Sequence, residues 1–274
     1  MTAAYEYVIA DVFTDVALAG NQLAVFVDGD AVPDDLKQKL AQEIGFSETV
    51  YVGAGDHVRI FTPATELRFA GHPVLGTAFV LTQSRGVSEI VLECRAGPVG
   101  LTFDAGGRGR MTQPLPTASP WNGDVDALLA CLGVEKAMVP IDVYDNGVRH
   151  LYVVLASEAD VAALRPDTGR LAEVVTDAGT SCVAGSGTRW KSRMFAPSLG
   201  VAEDPATGSA AGPLAVHLYR HGLVPWGTEI TIAQGVEIGR PSTLYAMASG
   251  SDAGIDAVEV AGDTVIVGRG AFDV

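Results

Sequence analysis

The alternation of apolar and polar positions predicts many short strands and few helices. Runs rich in Val, Ile, Phe and Tyr, bounded by glycines and turn residues, are typical of strands. Such runs occur at residues 7–13, 23–27, 46–52, 58–61, 90–93, 99–103, 109–113, 141–144, 151–155, 182–184, 192–195, 229–232, 243–247, 258–260 and 264–267. Apolar positions at helical spacing predict short helices over residues 33–44, 125–132, 161–164 and 171–175. The pattern indicates several strands in each half of the chain.

One segment of this pattern is duplicated. Residues 72–78 and 204–210 share one order: His or Asp, Pro, two variable residues, Gly, Thr or Ser, and Ala. A Phe-x-Pro tripeptide precedes each copy. An apolar run follows each copy and predicts a long helix, ending near Arg85 in one case and near His221 in the other. The small residues of both helices favour enclosure by a sheet. One copy per half-chain predicts two similar halves.

Each copy has the composition of a loop that turns into a helix. The first N–H groups of a helix have no intrahelical acceptor and carry partial positive charge, so they suit a carboxylate ligand. Gly76 and Gly208 are expected to let the backbone approach such a ligand. Two ordinary helix caps are the alternative for either copy alone. The matched pair favours two helix starts that point at one cleft.

Composition limits the possible partners. With 274 residues, 48% of them hydrophobic and 19% charged, the chain can bury one large core or two medium ones, and the duplication favours two. The net charge of −15 argues against nucleic acid as a partner. No signal peptide or membrane span is expected. The three widely spaced cysteines predict buried thiols in a reducing compartment, so we expect a cytoplasmic protein without membrane contact.

Glu48 is the first candidate for catalysis. It lies among Phe46, Val50 and Tyr51, where burial would raise the pKa of a carboxyl group and suit it to general acid/base work. A strand acid that points outward by alternation is the equally weighted alternative. Cys182 precedes the second Phe-x-Pro by the same number of residues as Glu48 precedes the first. The duplication therefore predicts that Cys182 lies opposite Glu48.

His72 and Asp204 occupy the same position in the two copies, and a His–Asp pair at two facing helix starts could hold or shuttle a proton. A plain N-cap for Asp204 and a packed histidine for His72 remain alternatives. Ser209 is expected to bond a ligand; a nucleophilic role would need a base beside it. The other histidines, His57, His150, His217 and His221, are predicted to be structural.

The chain lacks the sequence motifs of the common cofactor sites. It has no dinucleotide or P-loop glycine motif, no Gly-x-Ser-x-Gly elbow and no His-Glu-x-x-His. The sequence therefore predicts no cofactor, no metal and no acyl-enzyme.

Several segments together resemble the PhzF-like isomerases of phenazine biosynthesis, within the diaminopimelate epimerase/proline racemase superfamily. They are residues 11–14, Gly20-Asn21, 47–49, 69–73 and 203–209, and residues 189–195, 208–214 and 235–242 are similar to the phenazine branch in particular. The resemblance implies an α+β fold of two pseudo-two-fold-related halves. Each half would be a curled, mostly antiparallel sheet around a central helix, with the active site between the halves. It also implies a homodimer without a cofactor.

The resemblance implies a role for each site residue. Glu48 matches the acid/base that moves a proton between two substrate carbons, and His72 and Asp204 match polar residues that assist the transfer. The substrate-binding positions would be Ser209, Gly71, Gly208 and Asn21. The implied substrate is a cyclic amino acid carboxylate, trans-2,3-dihydro-3-hydroxyanthranilate, whose C3 proton would return at C1. Neither copy of the duplicated segment contains a cysteine, which disfavours two-base racemisation.

Two alternatives to this function stay open: the same proton shift on another small unsaturated amino acid, and a silent binding protein that kept the cleft. Gln22 and Arg68 stand where the family usually has proline, and Arg68 precedes the site directly. The predicted halves are residues 1–116 and 117–274, with a Pro-rich linker at residues 115–120. A return of the last strand to the first half is allowed for.

Overall fold

The computed structural model describes residues 3–251 and 253–274, and within them eighteen strands and six α-helices. The strands are β1 (Ala4–Val12), β2 (Asn21–Phe26), β3 (Glu48–Val52), β4 (Val58–Phe61), β5 (Glu66–Leu67), β6 (Glu89–Cys94), β7 (Gly97–Phe103), β8 (Gly109–Thr112), β9 (Thr117–Pro120), β10 (Asp142–Asp145), β11 (Arg149–Val154), β12 (Gly179–Ser186), β13 (Arg189–Ala196), β14 (Val201–Asp204), β15 (Ile230–Gln234), β16 (Ser242–Ser251), β17 (Gly254–Gly262) and β18 (Thr264–Asp273). The helices are α1 (Asp34–Ile44), α2 (Gly71–Arg85), α3 (Val125–Leu132), α4 (Glu158–Ala163), α5 (Thr168–Val174) and α6 (Gly208–Arg220).

The chain divides into two compact units. The first contains the described residues up to Thr112 together with Ala261–Val274, and the second contains those of Gln113–Val260. Strand β18 pairs antiparallel with β1, so the end of the chain belongs to the first unit. The unit boundary falls slightly before the expected one at residue 116.

The first unit encloses helix α2. Its main sheet has the order β18-β1-β2-β3-β4-β5, and β6, β7 and β8 form an antiparallel meander. Helix α2 contacts strands of both groups. Helix α1 connects the parallel strands β2 and β3 and contributes Leu40 to a second core with Phe26, Tyr51 and Phe61. Gly45, in the left-handed region at φ 69°, ends α1 as the sequence predicts.

The second unit encloses helix α6 in a similar way. Its strands follow the order β17-β16-β15-β13-β12-β11-β10-β9, with β14 paired to β13, and α6 contacts β11 and β16. Helices α3, α4 and α5 supply Leu128, Val161 and Leu171 to a separate core with Val153 and Phe195. Antiparallel pairs predominate among those described in both units, while β2–β3, β11–β12 and β13–β15 are parallel.

The central helices are buried nearly all round, as their small residues predict. Every residue of α6 except Arg220 is buried, and so are all but four residues of α2. A Cβ atom on Gly76 would lie 2.6 Å from Val12 Cγ2 and 2.7 Å from Leu23 Cδ2. Gly76 therefore lets α2 pack closely on β1 and β2. This corrects the expectation that Gly76 serves the approach of a ligand.

Three further expectations need correction. Residues 117–120 of the predicted linker form strand β9, which pairs with β10. The strand predicted over residues 46–52 begins at Glu48. Asp204 does not lie at a helix start. It ends β14, and α6 begins only at Gly208, whereas α2 begins at Gly71, directly before His72.

Within the described residues, no helix combines the length and the apolar character needed to cross a membrane.

Candidate functional site

The first unit brings Glu48 and His72 together. Glu48 begins β3 and His72 lies in the first turn of α2, which places His72 Nε2 3.4 Å from Glu48 Oε2. The side chains of Glu48 and His72 are 14% and 4% exposed, so both are largely shielded from water. On the opposite edge of the imidazole, Nδ1 lies 3.3 Å from Asn21 Nδ2, and Ser47 Oγ donates to Asn21 Oδ1.

His72 is a neutral imidazole at neutral pH. Burial lowers its pKa to about 3, and a backbone hydrogen bond with Gln22 opposes that effect only in part. Pro73 follows it within the first turn of α2, where a missing N–H costs the helix nothing. A neutral ring beside Glu48 leaves the carboxylate free of an ion pair, whereas a permanently charged partner would hold it in one.

In the second unit, Asp204 and Thr207 form a buried network with Gln234. Thr207 Oγ1 donates to Asp204 Oδ2 at 2.6 Å, and Gln234 Nε2 donates to the Asp204 carbonyl and to Thr207 Oγ1. Gln234 Oε1 accepts from the Thr207 backbone N–H. These bonds hold residues 204–207 out of the helix, which explains why α6 starts later in its copy of the duplicated segment than α2 does.

Ser209 lies in the first turn of α6 and contacts a histidine that we expected to be structural. Its Oγ is 3.1 Å from His150 Nε2, and its carbonyl accepts from Asn146 Nδ2 at 2.9 Å. Gln113 Nε2 donates to the neighbouring Gly208 carbonyl at 2.8 Å. The sequence hardly signalled His150, because its partner lies 59 positions along the chain.

Cys182 lies in an apolar core and not in a polar site, contrary to what the symmetry of the duplication predicts. Its side chain is fully buried in the core formed with α3, α4 and α5, and burial raises the pKa of its thiol to about 12. Cys94 and Cys131 are also buried and free, as the sequence predicts. Cys182 is therefore a protonated core thiol and no candidate base.

One cluster has the donor set of a metal site. Donor atoms of Asp142, His217 and His221 lie within 4.8 Å of one another. His221 Nε2 and Asp142 Oδ2 are 2.8 Å apart, the distance of a charge-assisted hydrogen bond that accounts for their arrangement without an ion. His217 stacks on Tyr152, and burial lowers its pKa to about 3. The cluster lies at the end of α6, about 12 Å along the helix from Ser209.

Comparison with solved structures defines the class. A PhzF-family phenazine biosynthesis protein from Bacillus anthracis superposes with a TM-score of 0.87 at 21% identity, covering 99% of this chain and 100% of that one. A hydroxyproline epimerase from Agrobacterium vitis gives a TM-score of 0.65 at 14% identity, covering 100% and 95%. The predicted fold class is confirmed: the protein has the α+β fold of the diaminopimelate epimerase and proline racemase enzymes.

The family follows from sequence. Residues 10–270 match the model of the phenazine biosynthesis-like proteins, PhzC-PhzF. The chain is 44% identical to the trans-2,3-dihydro-3-hydroxyanthranilate isomerase of Pseudomonas chlororaphis, over 98% of this chain and 99% of that enzyme. The chain belongs to this family and is an isomerase.

Proposed function

We propose that the protein is a trans-2,3-dihydro-3-hydroxyanthranilate isomerase of phenazine biosynthesis. The observation that carries the proposal is its 44% identity to the Pseudomonas chlororaphis enzyme of that name, which extends over 98% of the chain and leaves no large segment unmatched. The Pseudomonas aeruginosa isomerase of the same name supports it with 44% identity over 97% of the chain.

In the proposed mechanism, Glu48 removes the proton from C3 of the substrate and returns it at C1. The C3–H bond breaks, the C1–H bond forms, and the two ring double bonds each shift by one carbon. C3 then carries an enol, which tautomerises to the ketone. The overall reaction neither gains nor loses electrons. The largely shielded position of Glu48 supports this role, because partial burial of a carboxylate favours its protonated form and suits it to general acid/base work.

The surrounding residues would bind and orient the substrate. The neutral His72, which lies between Asn21 and Glu48, is suited to orient the Glu48 carboxylate and to share the proton that Glu48 carries. Asp204 and Ser209 are proposed to contact polar groups of the same substrate. Backbone N–H groups near Gly71 and Gly208, in the first turns of α2 and α6, would face its carboxylate. A cytoplasmic homodimer is proposed from the family resemblance, and light scattering after size exclusion tests the dimer.

Turnover tests the function directly. A catalytic amount of purified protein should change the ultraviolet absorbance of trans-2,3-dihydro-3-hydroxyanthranilate as the substrate is converted. Binding without turnover would favour the silent binding protein. If neither is observed, the substrate assignment is wrong and other small unsaturated amino acids become the candidates.

Glu48→Gln tests the mechanism. The amide keeps the shape of the side chain but cannot accept a proton, so kcat should fall at least ~100-fold while substrate binding persists. Glu43→Gln, an exposed carboxylate on α1, is the matched control and should retain the wild-type rate. In D₂O, deuterium should enter only at C1 and at the carbon protonated on ketone formation. A Glu48→Gln protein with near wild-type kcat would end this mechanism.

A further inference from the structure

The hairpin of β10 and β11 directs two buried side chains onto one residue of α6. Asn146 Nδ2 donates to the Ser209 carbonyl at 2.9 Å, and His150 Nε2 lies 3.1 Å from Ser209 Oγ. Asn146 is 3% exposed and His150 is fully buried. Both the backbone and the hydroxyl of Ser209 are therefore held from the same hairpin.

Asn146 makes a hydrogen bond that the helix cannot make for itself. The carbonyl of Ser209 would normally accept from the backbone N–H four residues later, but that residue is Pro213, which has none. A buried carbonyl without a donor costs about 1–3 kcal/mol. Asn146 thus replaces the missing donor and fixes Ser209 to the hairpin that carries His150.

The surroundings of His150 determine which of its ring nitrogens carries the proton. Burial lowers its pKa to about 4, so the ring is neutral at neutral pH and has a single N–H. Nδ1 faces the space beside Gly179, close to Met194, and has no hydrogen-bond partner among the residues that the structure describes. An unpaired buried N–H is more costly than an unused lone pair. The proton therefore lies on Nε2, which donates it to Ser209 Oγ.

We propose that His150 is a positioning residue which, by donating Nε2–H to Ser209 Oγ, turns the Ser209 hydroxyl into a hydrogen-bond donor for the substrate carboxylate. A serine oxygen that accepts from His150 has its own proton free to point elsewhere. The N-terminal end of α6 adds the partial positive charge of its helix dipole, which favours the same negatively charged group. The proposal rests on the proposed function for the identity of the carboxylate, but the Ser209–His150 geometry stands without it.

A serine beside a histidine could also be a nucleophile and its base, and this alternative makes the opposite prediction. It needs Nε2 to accept the Ser209 proton, which places the ring proton on the unpartnered Nδ1. Nitrogen-15 NMR of the histidine rings in the ligand-free wild-type protein separates the two. The proposal requires a protonated Nε2 at His150, and a protonated Nδ1 overturns it. This result does not depend on which substrate the enzyme uses.

Binding measurements test the role toward the carboxylate. The probes are 3-hydroxyanthranilate, an aromatic counterpart of the proposed substrate, and 2-aminophenol, which differs from it only by the missing carboxylate. His150→Phe should weaken the binding of 3-hydroxyanthranilate about 10-fold and leave the affinity for 2-aminophenol unchanged. Ser209→Ala should have the same two effects. The double variant should bind 3-hydroxyanthranilate no more weakly than either single variant. His150→Gln, whose amide can donate from a similar place, should restore part of the affinity.

Steady-state kinetics give the matching readout. His150→Phe should raise KM about 10-fold with kcat changed less than about 3-fold. Tyr152→Phe is the control, because it removes a hydrogen bond to the Ala210 carbonyl of the same turn without touching the Ser209 hydroxyl, and its KM should be unchanged. The proposal is overturned if the variants lose affinity for both probes equally. It is also overturned if the affinity losses of His150→Phe and Ser209→Ala are additive, or if Tyr152→Phe changes KM as much as His150→Phe does.

Discussion

At the scale of single residues, burial determines the charge of the polar groups. His72 illustrates this, because its pKa of about 3 lies below that of an exposed histidine. The ring is therefore neutral throughout the range from pH 5 to pH 8, and the activity profile of the wild-type enzyme should show no step near pH 6.5 from His72. The measurement is kcat/KM against pH for the wild type and for His72→Gln. A step near pH 6.5 that disappears in His72→Gln would show that His72 titrates.

At the scale of elements, the close approach of α2 to its sheet depends on one glycine. Gly76→Ala would bring a methyl group within 2.7 Å of the buried side chains of Val12 and Leu23, which have no free space to move into. We expect a loss of about 1–3 kcal/mol in the free energy of unfolding by urea. Gly100→Ala, where an added Cβ meets nothing within 4 Å, is the matched control and should change that free energy little. Equal stabilities of the two variants would contradict the packing argument.

At the scale of the whole molecule, three buried histidines should make the protein acid-sensitive. The pKa values of His72, His150 and His217 are lowered by burial to about 3, 4 and 3, below the unfolded value near 6.5. Between these limits the unfolded chain binds more protons than the folded one, so stability is complete above pH 6.5 and falls as the pH falls. The loss at pH 5 is on the order of 2 kcal/mol per histidine.

Urea denaturation at pH 7, 6 and 5 measures this loss. His217→Gln should reduce the difference in unfolding free energy between pH 7 and pH 5. His57→Gln, at an exposed position, should leave that difference unchanged. An unfolding free energy that stays constant from pH 7 to pH 5 would contradict the prediction.

Local pattern and motif composition were enough to predict most elements, the two enclosed helices and the family. Helix α1 with its glycine end, helix α3 and strand β4 agree with the sequence because short-range periodicity and capping determine them. The site residues Glu48, His72, Asp204 and Ser209 could be named from the duplicated segment and the resemblance, and their roles stay predictions. What these features share is a cause that lies within a few residues along the chain.

Tertiary structure alone decided the rest. Residues 117–120 look like a linker until β10 supplies a partner strand, since Pro- and Ser-rich segments form strands only where a neighbour pairs with them. The two copies of the duplicated segment look equivalent, yet the bonds of Gln234 delay the start of α6 past Asp204. His150 had no local signal, because its meaning comes from Ser209, 59 positions away, and from the proline that leaves a carbonyl for Asn146. Such contacts join residues that are distant in the chain, and no local pattern records them.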